Sequence, residues 1–441
     1  MLDITKGPEQ TVPLTAPSAA PMQYKRVIAA ATVASALEWY DFFAYGVVAP
    51  LAFDSVFFPK FDPLVGSLLV WGTFATGFLA RPLGGMFFGH FGDRLGRKWP
   101  VFQAVVIMGV SSTLIGCLPG YASIGVIAPI ILVVLRFVQG FALGGENIGA
   151  ALLAIEWAPK EKRGFYGAWP QASGPIGIII SAAIVTPLSY YLGADFAAWA
   201  WRLPFLFSAV LVVIAGGLLL TVAETLAFLR TKSEANVSKT PITEVFRSYK
   251  KPWAIGTAIA AGSSAFFYLV TLFTMAYGAR NLGMSTTILT GAYLIANVVA
   301  LFTMPAFGQL SDKLGRRPLW GTGIVLAMAY ISVFFAIVGT HDSLYVALAI
   351  VVGAGLIHPM MFGPEGSLIP ELFDTRVRFT GGSLAKQIGT LLGGGLAPIL
   401  ATSAMAWSHG SFWSIDVYFV VVGAIALFAL RCARETSGIE L

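Results

Sequence analysis

Long apolar runs alternate with short polar breaks along almost the whole chain. Each run holds roughly 20 residues or more, which is the length that one α-helix needs to cross a bilayer. Twelve runs are predicted, at 27–53, 64–88, 100–118, 124–150, 164–192, 201–222, 252–279, 286–310, 318–338, 344–368, 379–405 and 412–430. They are much longer than the ~10-residue alternating segments of a membrane barrel, so we predict an all-α membrane protein.

The composition excludes several classes of protein. Hydrophobic residues make up 57% of the 441 residues and charged residues only 11%, against about 25% charged residues in soluble domains. A lipid bilayer is therefore the expected surrounding, and a soluble enzyme and a nucleic-acid-binding protein are excluded. No nucleophile with a base at a recognisable spacing and no metal-ligand cluster occurs in the sequence, so we predict no enzymatic activity, metal or cofactor.

Basic residues are concentrated on one side of the predicted helices. Of the 28 Lys and Arg residues, 22 fall in the tails, in the central polar segment and in the loops on the side of the termini. Loops rich in these residues stay in the cytoplasm, so both termini are predicted to be cytoplasmic. We predict a flexible tail at 1–24, a six-helix bundle at 25–222, a linker at 223–251, a second bundle at 252–431 and a tail at 432–441.

Two charged loops repeat at half the chain length. The loop after the second run reads GHFGDRLGRK, and the loop after the eighth reads GQLSDKLGRRP. Matching residues lie 219 positions apart, namely Gly89 and Gly308, Asp93 and Asp312, Gly96 and Gly315, and Arg97 and Arg316. The repeat predicts twelve transmembrane helices in two six-helix bundles related by pseudo-two-fold symmetry.

This repeated G-x-x-x-D-x-x-G-R-K/R loop resembles that of the major facilitator superfamily. Three further segments, ALEWYDFFAYG at 36–46, LRFVQGFALGGE at 135–146 and RFTGGSLAKQIGTLLGGGLAP at 378–398, are similar to the metabolite:proton symporter family. The resemblance implies a proton-coupled importer of an organic acid or a zwitterionic osmolyte in a bacterial inner membrane. Lys386 departs from the family, where a neutral or aromatic residue is more usual.

Charged residues inside the apolar runs are the candidates for proton coupling. A charge at a helix centre costs about 2.5 to 3.5 kcal/mol, so such residues must face partners or water. Asp41 and Arg136 both fall in the middle third of the membrane, and we expect them to contact each other across a central cavity. Glu38 shares a helix face with Asp41, which leaves two candidate proton carriers, with Asp41 preferred. Arg136 could alternatively serve only as a structural tether.

A second group of residues is predicted to bind the substrate. Lys386 lies about 11 Å from the cytoplasmic end of its helix, and its ammonium together with the Arg136 guanidinium could hold a carboxylate. Lys386 could instead extend to the cytoplasmic surface. The predicted binding set is completed by Gln139, Tyr45, Gln387 and Tyr268.

A third group is predicted to close the cytoplasmic mouth. Glu146 is expected to pair with Arg97, and Glu365 with Arg316, while Asp93 and Asp312 cap or receive a helix terminus. Two other residues receive structural interpretations. Arg81 is expected to reach the interface, and His358 to be a packing residue.

The predicted function is therefore symport of a small organic anion with protons by alternating access. The partners are the anionic metabolite, protons and the lipid bilayer, and a monomer is expected to be the functional unit. Two alternatives stay open: proton-coupled symport of a zwitterion such as betaine, and antiport of amphipathic drugs against protons through an aromatic cavity.

Overall fold

A computed structural model describes residues 20–59, 63–234 and 236–440 of the chain. Over these residues it contains helices and no strand. Twelve long helices are labelled as follows: α1 Gln23–Phe57, α2 Pro63–Leu95, α3 Lys98–Cys117, α4 Ile127–Trp157, α5 Lys160–Leu192, α6 Arg202–Thr221, α7 Lys250–Asn281, α8 Thr286–Leu314, α9 Arg316–Val338, α10 Ser343–Glu371, α11 Arg378–Trp407 and α12 Trp413–Arg431.

Eleven of these helices, found within the described residues, are long and apolar enough to cross a membrane, and α2 adds a helix of 33 residues. The predicted all-α fold with twelve helices is thus confirmed. Most of the tail predicted at 1–24 lies outside the described residues. The segment predicted as a linker contains two short helices, Leu226–Ser233 and Pro241–Ser248.

Four long helices contain one wide π-turn each, at Ala49–Phe53 in α1, Leu269–Phe273 in α7, Gly353–Ile357 in α10 and Leu391–Gly395 in α11. The turns in α1 and α7 lie 220 residues apart, which follows the repeat in the sequence. A π-turn locally breaks the regular hydrogen-bond ladder and is frequent at functional sites. These four helices therefore each have a local irregularity within their length.

The repeated loops 89–98 and 308–318 turn the chain at one end of the bundle, which we call the charged end. Gly96 ends α2 with a φ of 117°, and Gly315 ends α8 with a φ of 99°. Side chains with a Cβ rarely adopt this conformation, which explains the glycine at both positions. The two loops thus make the same reversal and start the next helix in the same way.

The helix that follows each charged loop is capped by a distant glutamate. Glu224 accepts the backbone N–H of Arg97 at 2.9 Å, and Glu435 accepts that of Arg316 at 2.8 Å. A carboxylate at a helix N-terminus satisfies donors that have no partner within the helix and interacts favourably with the helix dipole. The residues after α6 and after α12 therefore hold equivalent helices in place.

The central helices approach one another closely at glycines. A Cβ added at Gly140 in α4 would overlap the backbone of Gly77 in α2, and one added at Gly144 would overlap the backbone of Arg81. Between the two halves, α5 packs along α8 and α2 packs along α11. Small residues permit this close helix packing in membranes.

We predict that Gly140→Ala lowers the thermal stability of the purified protein in detergent. The added methyl group must displace the α2 backbone, and overpacking of this kind costs about 1 to 3 kcal/mol. The matched control is Gly217→Ala in α6, where a Cβ meets no atom within 4 Å. Equal melting temperatures of the two variants would contradict the proposed α2–α4 contact.

Candidate functional site

Two aspartates of the charged loops cap helices of the opposite half. Asp93 accepts backbone N–H groups of the first turn of α11, including that of Thr380 at 2.9 Å. Asp312 accepts those of the first turn of α5, including that of Gly164 at 2.7 Å. Both carboxylates thus lie at the positive end of a helix dipole. The structure places both aspartates at helix termini, as expected from the sequence.

The loop arginines strengthen the same contacts. Arg97 donates to Asp93 at 2.7 Å and to the backbone oxygen of Thr375, in the opposite half, at 2.6 Å. Arg316 donates to Asp312 at 2.7 Å. The side chains of both arginines are fully buried. The bond from Arg97 to Thr375 joins the two halves directly, and the two Arg–Asp bonds hold in place the aspartates that cap helices of the opposite half.

The glutamates that complete this closure are not the predicted ones. Glu156, at the end of α4, lies 3.2 Å from Arg378 and 3.7 Å from Arg97. Glu371, at the end of α10, lies 3.4 Å from Arg316. Because Arg378 begins α11, its pair with Glu156 is a direct ionic contact between the halves.

The predicted pairs of Glu146 with Arg97 and of Glu365 with Arg316 are therefore wrong. The reason is the length of the helices: α4 was predicted to end at residue 150 but continues to Trp157, and α10 continues to Glu371 instead of ending at residue 368. Both glutamates lie deeper in the bundle than expected.

One sequence signal could have identified the correct glutamates. Glu156 precedes Arg163 by seven positions, and Glu371 precedes Arg378 by seven positions. The same spacing therefore occurs at the end of the fourth helix of each half. Arg163 donates to the backbone oxygen of Ile439 at 2.6 Å, which ties the C-terminal segment to the first half.

A cavity lies between the two halves, on the inner side of the closed end. The space in it that the centre of a water molecule can occupy is about 60 Å³. Its wall combines aromatic rings, amides and ionisable groups, and its lining residues include Glu38, Trp39, Arg81, Asn147, Gln171, Phe267, Tyr268, His358, Phe362, Lys386 and Gln387. Several buried polar atoms of these residues have no protein partner, among them Trp39 Nε1, Asn147 Oδ1, Gln171 Oε1 and His358 Nδ1. A polar ligand could satisfy them.

On one side of the cavity two carboxyl groups lie together. Glu38 and Glu146 are neighbours, and both are buried. Ser35 donates to the Oε1 atom of Glu146 at 2.7 Å. Because two adjacent carboxylates repel each other strongly, one proton shared between them is the stable arrangement.

On the other side of the cavity Lys386 forms an ion pair. Its Nζ atom lies 2.6 Å from the Oε2 atom of Glu365, and Trp320 donates to the other oxygen of that carboxylate at 3.1 Å. Lys386 thus lines the cavity and does not extend to the surface, but its ammonium already has a carboxylate partner in Glu365. Phe362 covers it at 4.3 Å from Nζ to the ring centroid.

Arg81 does not lie where the sequence predicts it. Its side chain does not reach the interface: it is 92% buried and lines the cavity. The guanidinium carbon lies 4.4 Å from the ring centroid of Phe78 and 5.2 Å from that of Phe42. Within the described residues no carboxylate lies at ion-pairing distance from Arg81, and its Nε atom has no acceptor.

Aromatic rings bound the cavity away from the charged end. Phe43 of α1 lies 6.0 Å from Tyr293 of α8, and Phe78 of α2 lies 6.3 Å from Tyr268 of α7, between ring centroids. Both pairs join the two halves. The ring of His358 packs against that of Phe267, with 4.7 Å between the ring centroids, and His358 also lines the cavity.

Asp41 and Arg136 lie apart from this cavity, inside the first half. Asp41 accepts from Ser208 at 2.5 Å, while Arg136 donates to Gln139, which in turn donates to Ser112 at 2.6 Å. Within the described residues no direct ion pair joins Asp41 to Arg136. The predicted contact is replaced by a chain of hydroxyl and amide groups, because serines of α3 and α6 and the amide of Gln139 surround the carboxylate.

The predicted substrate-binding residues are therefore split between two places. Lys386, Gln387 and Tyr268 line the cavity. Arg136, Gln139 and Tyr45 belong to the enclosed network, where the Arg136 guanidinium carbon lies 3.6 Å from the Tyr45 ring centroid. Within the described residues no group of three or more metal-ligating side chains occurs.

Comparison with known proteins gives consistent matches over most of the chain. Residues 31–398 match the Major Facilitator Superfamily. The chain is 35% identical to an inner membrane metabolite transport protein of Escherichia coli, over 93% of this chain and 94% of that one. It is also 35% identical to the shikimate transporter of E. coli, over 87% and 88% of the two chains.

A proline/betaine transporter of E. coli is 32% identical, over 94% of this chain and 84% of that relative. Among solved structures, a proton:xylose symporter matches 96% of this chain and 98% of its own, with a TM-score of 0.76 and 18% identity. At that identity the structural match supports the fold only.

We predict that Asp312→Asn opens the charged end. The substitution weakens two helix-capping bonds and one ion pair, and hydrogen bonds to charged groups contribute about 1.5 to 3 kcal/mol each. The reporter is Ser367→Cys, a buried position between α10 and α5, in a background with Cys117→Ser and Cys432→Ser. We expect the rate of thiol labelling to rise at least tenfold.

The matched control is Glu161→Gln, because Glu161 is exposed near the same end. Its labelling rate should equal that of the parent. An unchanged rate in Asp312→Asn would show that the Asp312 contacts do not keep this end closed.

Proposed function

The chain belongs to the major facilitator superfamily of membrane transporters, and we propose that it takes up a small organic acid together with a proton. We place it in a bacterial inner membrane with the charged end in the cytoplasm, because 22 of its 28 basic residues lie on that side. The observation that carries the proposal is the cavity, which contains a buried arginine that has no carboxylate partner among the described residues and lies beside a pair of carboxyl groups.

Arg81 is proposed to bind the substrate carboxylate. A guanidinium can donate two parallel hydrogen bonds to a carboxylate, and a buried site makes such a bond strong. Gln171 and Asn147 supply amide groups in the same cavity, and Trp39 and Tyr268 supply apolar faces. A small acid with a ring or short carbon skeleton and additional hydrogen-bonding groups suits this lining.

Glu38 and Glu146 are proposed to carry the proton. When the pair gains a proton, it loses one negative charge, and the positive charge of Arg81 is then available to bind the substrate carboxylate. When the proton leaves, the pair competes with the substrate for the positive charge of Arg81, which acts on Glu38. Proton binding and anion binding therefore favour each other, which is the thermodynamic requirement for symport.

Alternating access is proposed to follow from the two closures. The charged end is held by buried ion pairs and helix caps, whereas the opposite side of the cavity is bounded by aromatic contacts between the halves. Rocking of one six-helix bundle against the other would open each side in turn. All of these groups belong to one chain, so a monomer is the proposed functional unit.

Symport of a zwitterion with a carboxylate and a quaternary ammonium group is the second candidate. Trp39, Phe267 and Phe362 present aromatic rings to the cavity, and Glu38 presents a carboxyl group. Such rings attract a quaternary ammonium group through cation–π interactions. Arg81 would hold the carboxylate of the zwitterion as it would that of an acid.

The first test of function is uptake by proteoliposomes with an alkaline interior. The probes are shikimate, succinate, citrate and glycine betaine, each radiolabelled. We expect accumulation of at least one carboxylate above its external concentration, and a protonophore should abolish it. Accumulation of none of the probes, or accumulation that a protonophore does not change, would contradict the proposed function.

The second test compares two neighbouring acids of α1. Glu38→Gln should abolish accumulation driven by the pH gradient but leave exchange of labelled for unlabelled substrate, because the proton site is lost while Arg81 remains. Asp41→Asn is the matched comparison and should retain accumulation, since Asp41 lies in the enclosed network. The opposite outcome would assign the proton to Asp41, the carrier preferred from the sequence.

A further inference from the structure

The cavity contains a limited set of ionisable groups, which together determine the charge of the substrate. Within the described residues Glu38, Arg81, His358 and Lys386 line it directly. Glu146 is adjacent to Glu38, and Glu365 is adjacent to Lys386. His358 is packed between the rings of Phe267 and Phe362 and pairs with no acidic side chain of the described residues, so we treat it as neutral. The balance therefore depends on five groups.

Lys386 and Glu365 neutralise each other. The ion pair is 2.6 Å long, the Glu365 side chain is fully buried and that of Lys386 is 94% buried. The indole N–H of Trp320 holds the second carboxylate oxygen. A substrate carboxylate could take this ammonium only by leaving Glu365 as an isolated buried charge, which is strongly unfavourable.

The carboxyl pair contributes one negative charge when it shares one proton and none when it holds two. In contrast, Arg81 keeps its positive charge in all states, because a guanidinium does not lose its proton in proteins. Arg81 thus balances the singly protonated pair, and it is uncompensated when the second proton is bound. Among the residues that the structure describes, the cavity then has one positive charge available.

We infer that the site accepts a single carboxylate and that one proton enters with each substrate anion, so that the cycle moves no net charge. This inference rests on the proposed function and specifies its substrate class as monocarboxylates. Among the described lining residues, Arg81 and the paired Lys386 are the only side chains taken as cationic, so a second carboxylate on the substrate would meet no free compensating charge. A zwitterion, which is neutral overall, would instead move one positive charge with the proton.

The inference is tested first on the wild-type protein, with the driving forces separated. Proteoliposomes receive either a pH gradient alone or a potassium diffusion potential alone, with shikimate and benzoate as monocarboxylate probes, succinate and citrate as multiply charged probes, and glycine betaine as the zwitterion. We expect a monocarboxylate to respond to the pH gradient and to give less than one tenth of the uptake under the potential alone.

Three outcomes can be distinguished in this experiment. Uptake of succinate or citrate at the rate of a monocarboxylate, or potential-driven uptake of any probe, would overturn the inference while leaving proton-coupled transport intact. Uptake of none of the probes would contradict the proposed function itself. Uptake of glycine betaine driven by the potential would select the zwitterion candidate.

The second test changes the charge balance. Glu365→Gln frees the Lys386 ammonium, so the cavity gains a second positive charge, and we expect the ratio of succinate to monocarboxylate uptake to rise at least tenfold. Glu365→Gln combined with Lys386→Gln removes both charges and should retain the wild-type ratio. A purely structural role of the pair would affect both variants alike.

Asp416→Asn is the matched control for loss of a carboxylate in the second half, because Asp416 lies in α12 and does not line the cavity. It should leave the ratio unchanged. If Glu365→Gln does not fold, as judged by size-exclusion chromatography in detergent, the double variant and the wild-type measurements still decide. A double variant that prefers succinate would overturn the inference.

Discussion

A charge that is removed from water must meet a compensating group, and this constraint determines the buried ionic contacts of the protein. At the charged end this compensation is supplied by the opposite half: Asp93 meets the N-terminus of α11, and Asp312 meets that of α5. Separation of the halves leaves both aspartates and both helix termini without these partners. Water can replace them only once the mouth is open. The same contacts therefore stabilise the closed form and make opening a transition between two distinct states, which alternating access requires.

Sequence patterns predicted the features that depend on periodicity and repetition. The apolar runs identified twelve helices, and the offset of 219 residues identified the paired loops, so the resemblance to the major facilitator superfamily is confirmed. The capping positions of Asp93 and Asp312 could also be expected, because an acidic residue in a short loop near basic residues suits a helix N-terminus. Helix ends were harder to predict. The apolar pattern fades before α4 ends, so Glu146 was assigned to the mouth although Glu156 is the residue found there.

Which side chains line the cavity depends on the direction in which each helix face points. The sequence does not contain this direction. Depth along a helix follows from residue number, and on depth alone Arg136 and Asp41 were good candidates for the centre. In the structure that face of α1 points towards α6, where the Ser208 hydroxyl donates a hydrogen bond to Asp41. Arg81 has only a modest polar neighbourhood in the sequence, yet the packing of α2 against α11 directs it into the space between the halves. Contacts between helices that are distant in the chain decide such directions.

Equivalent glutamates of the two halves have different partners. Glu146 and Glu365 are related by the repeat of 219 residues, and both are fully buried. Glu365 is compensated by the ammonium of Lys386, whose charge is held in place by the ion pair. Among the described residues Glu146 has no such cation beside it and lies next to the carboxyl group of Glu38, so its compensation must be a proton. A proton can leave during the cycle, whereas an ammonium on a side chain cannot. The duplicated fold thereby pairs one buried glutamate with a permanent positive charge in the second half and leaves the other to a proton in the first half, which supports the proposed position of proton coupling in the first half.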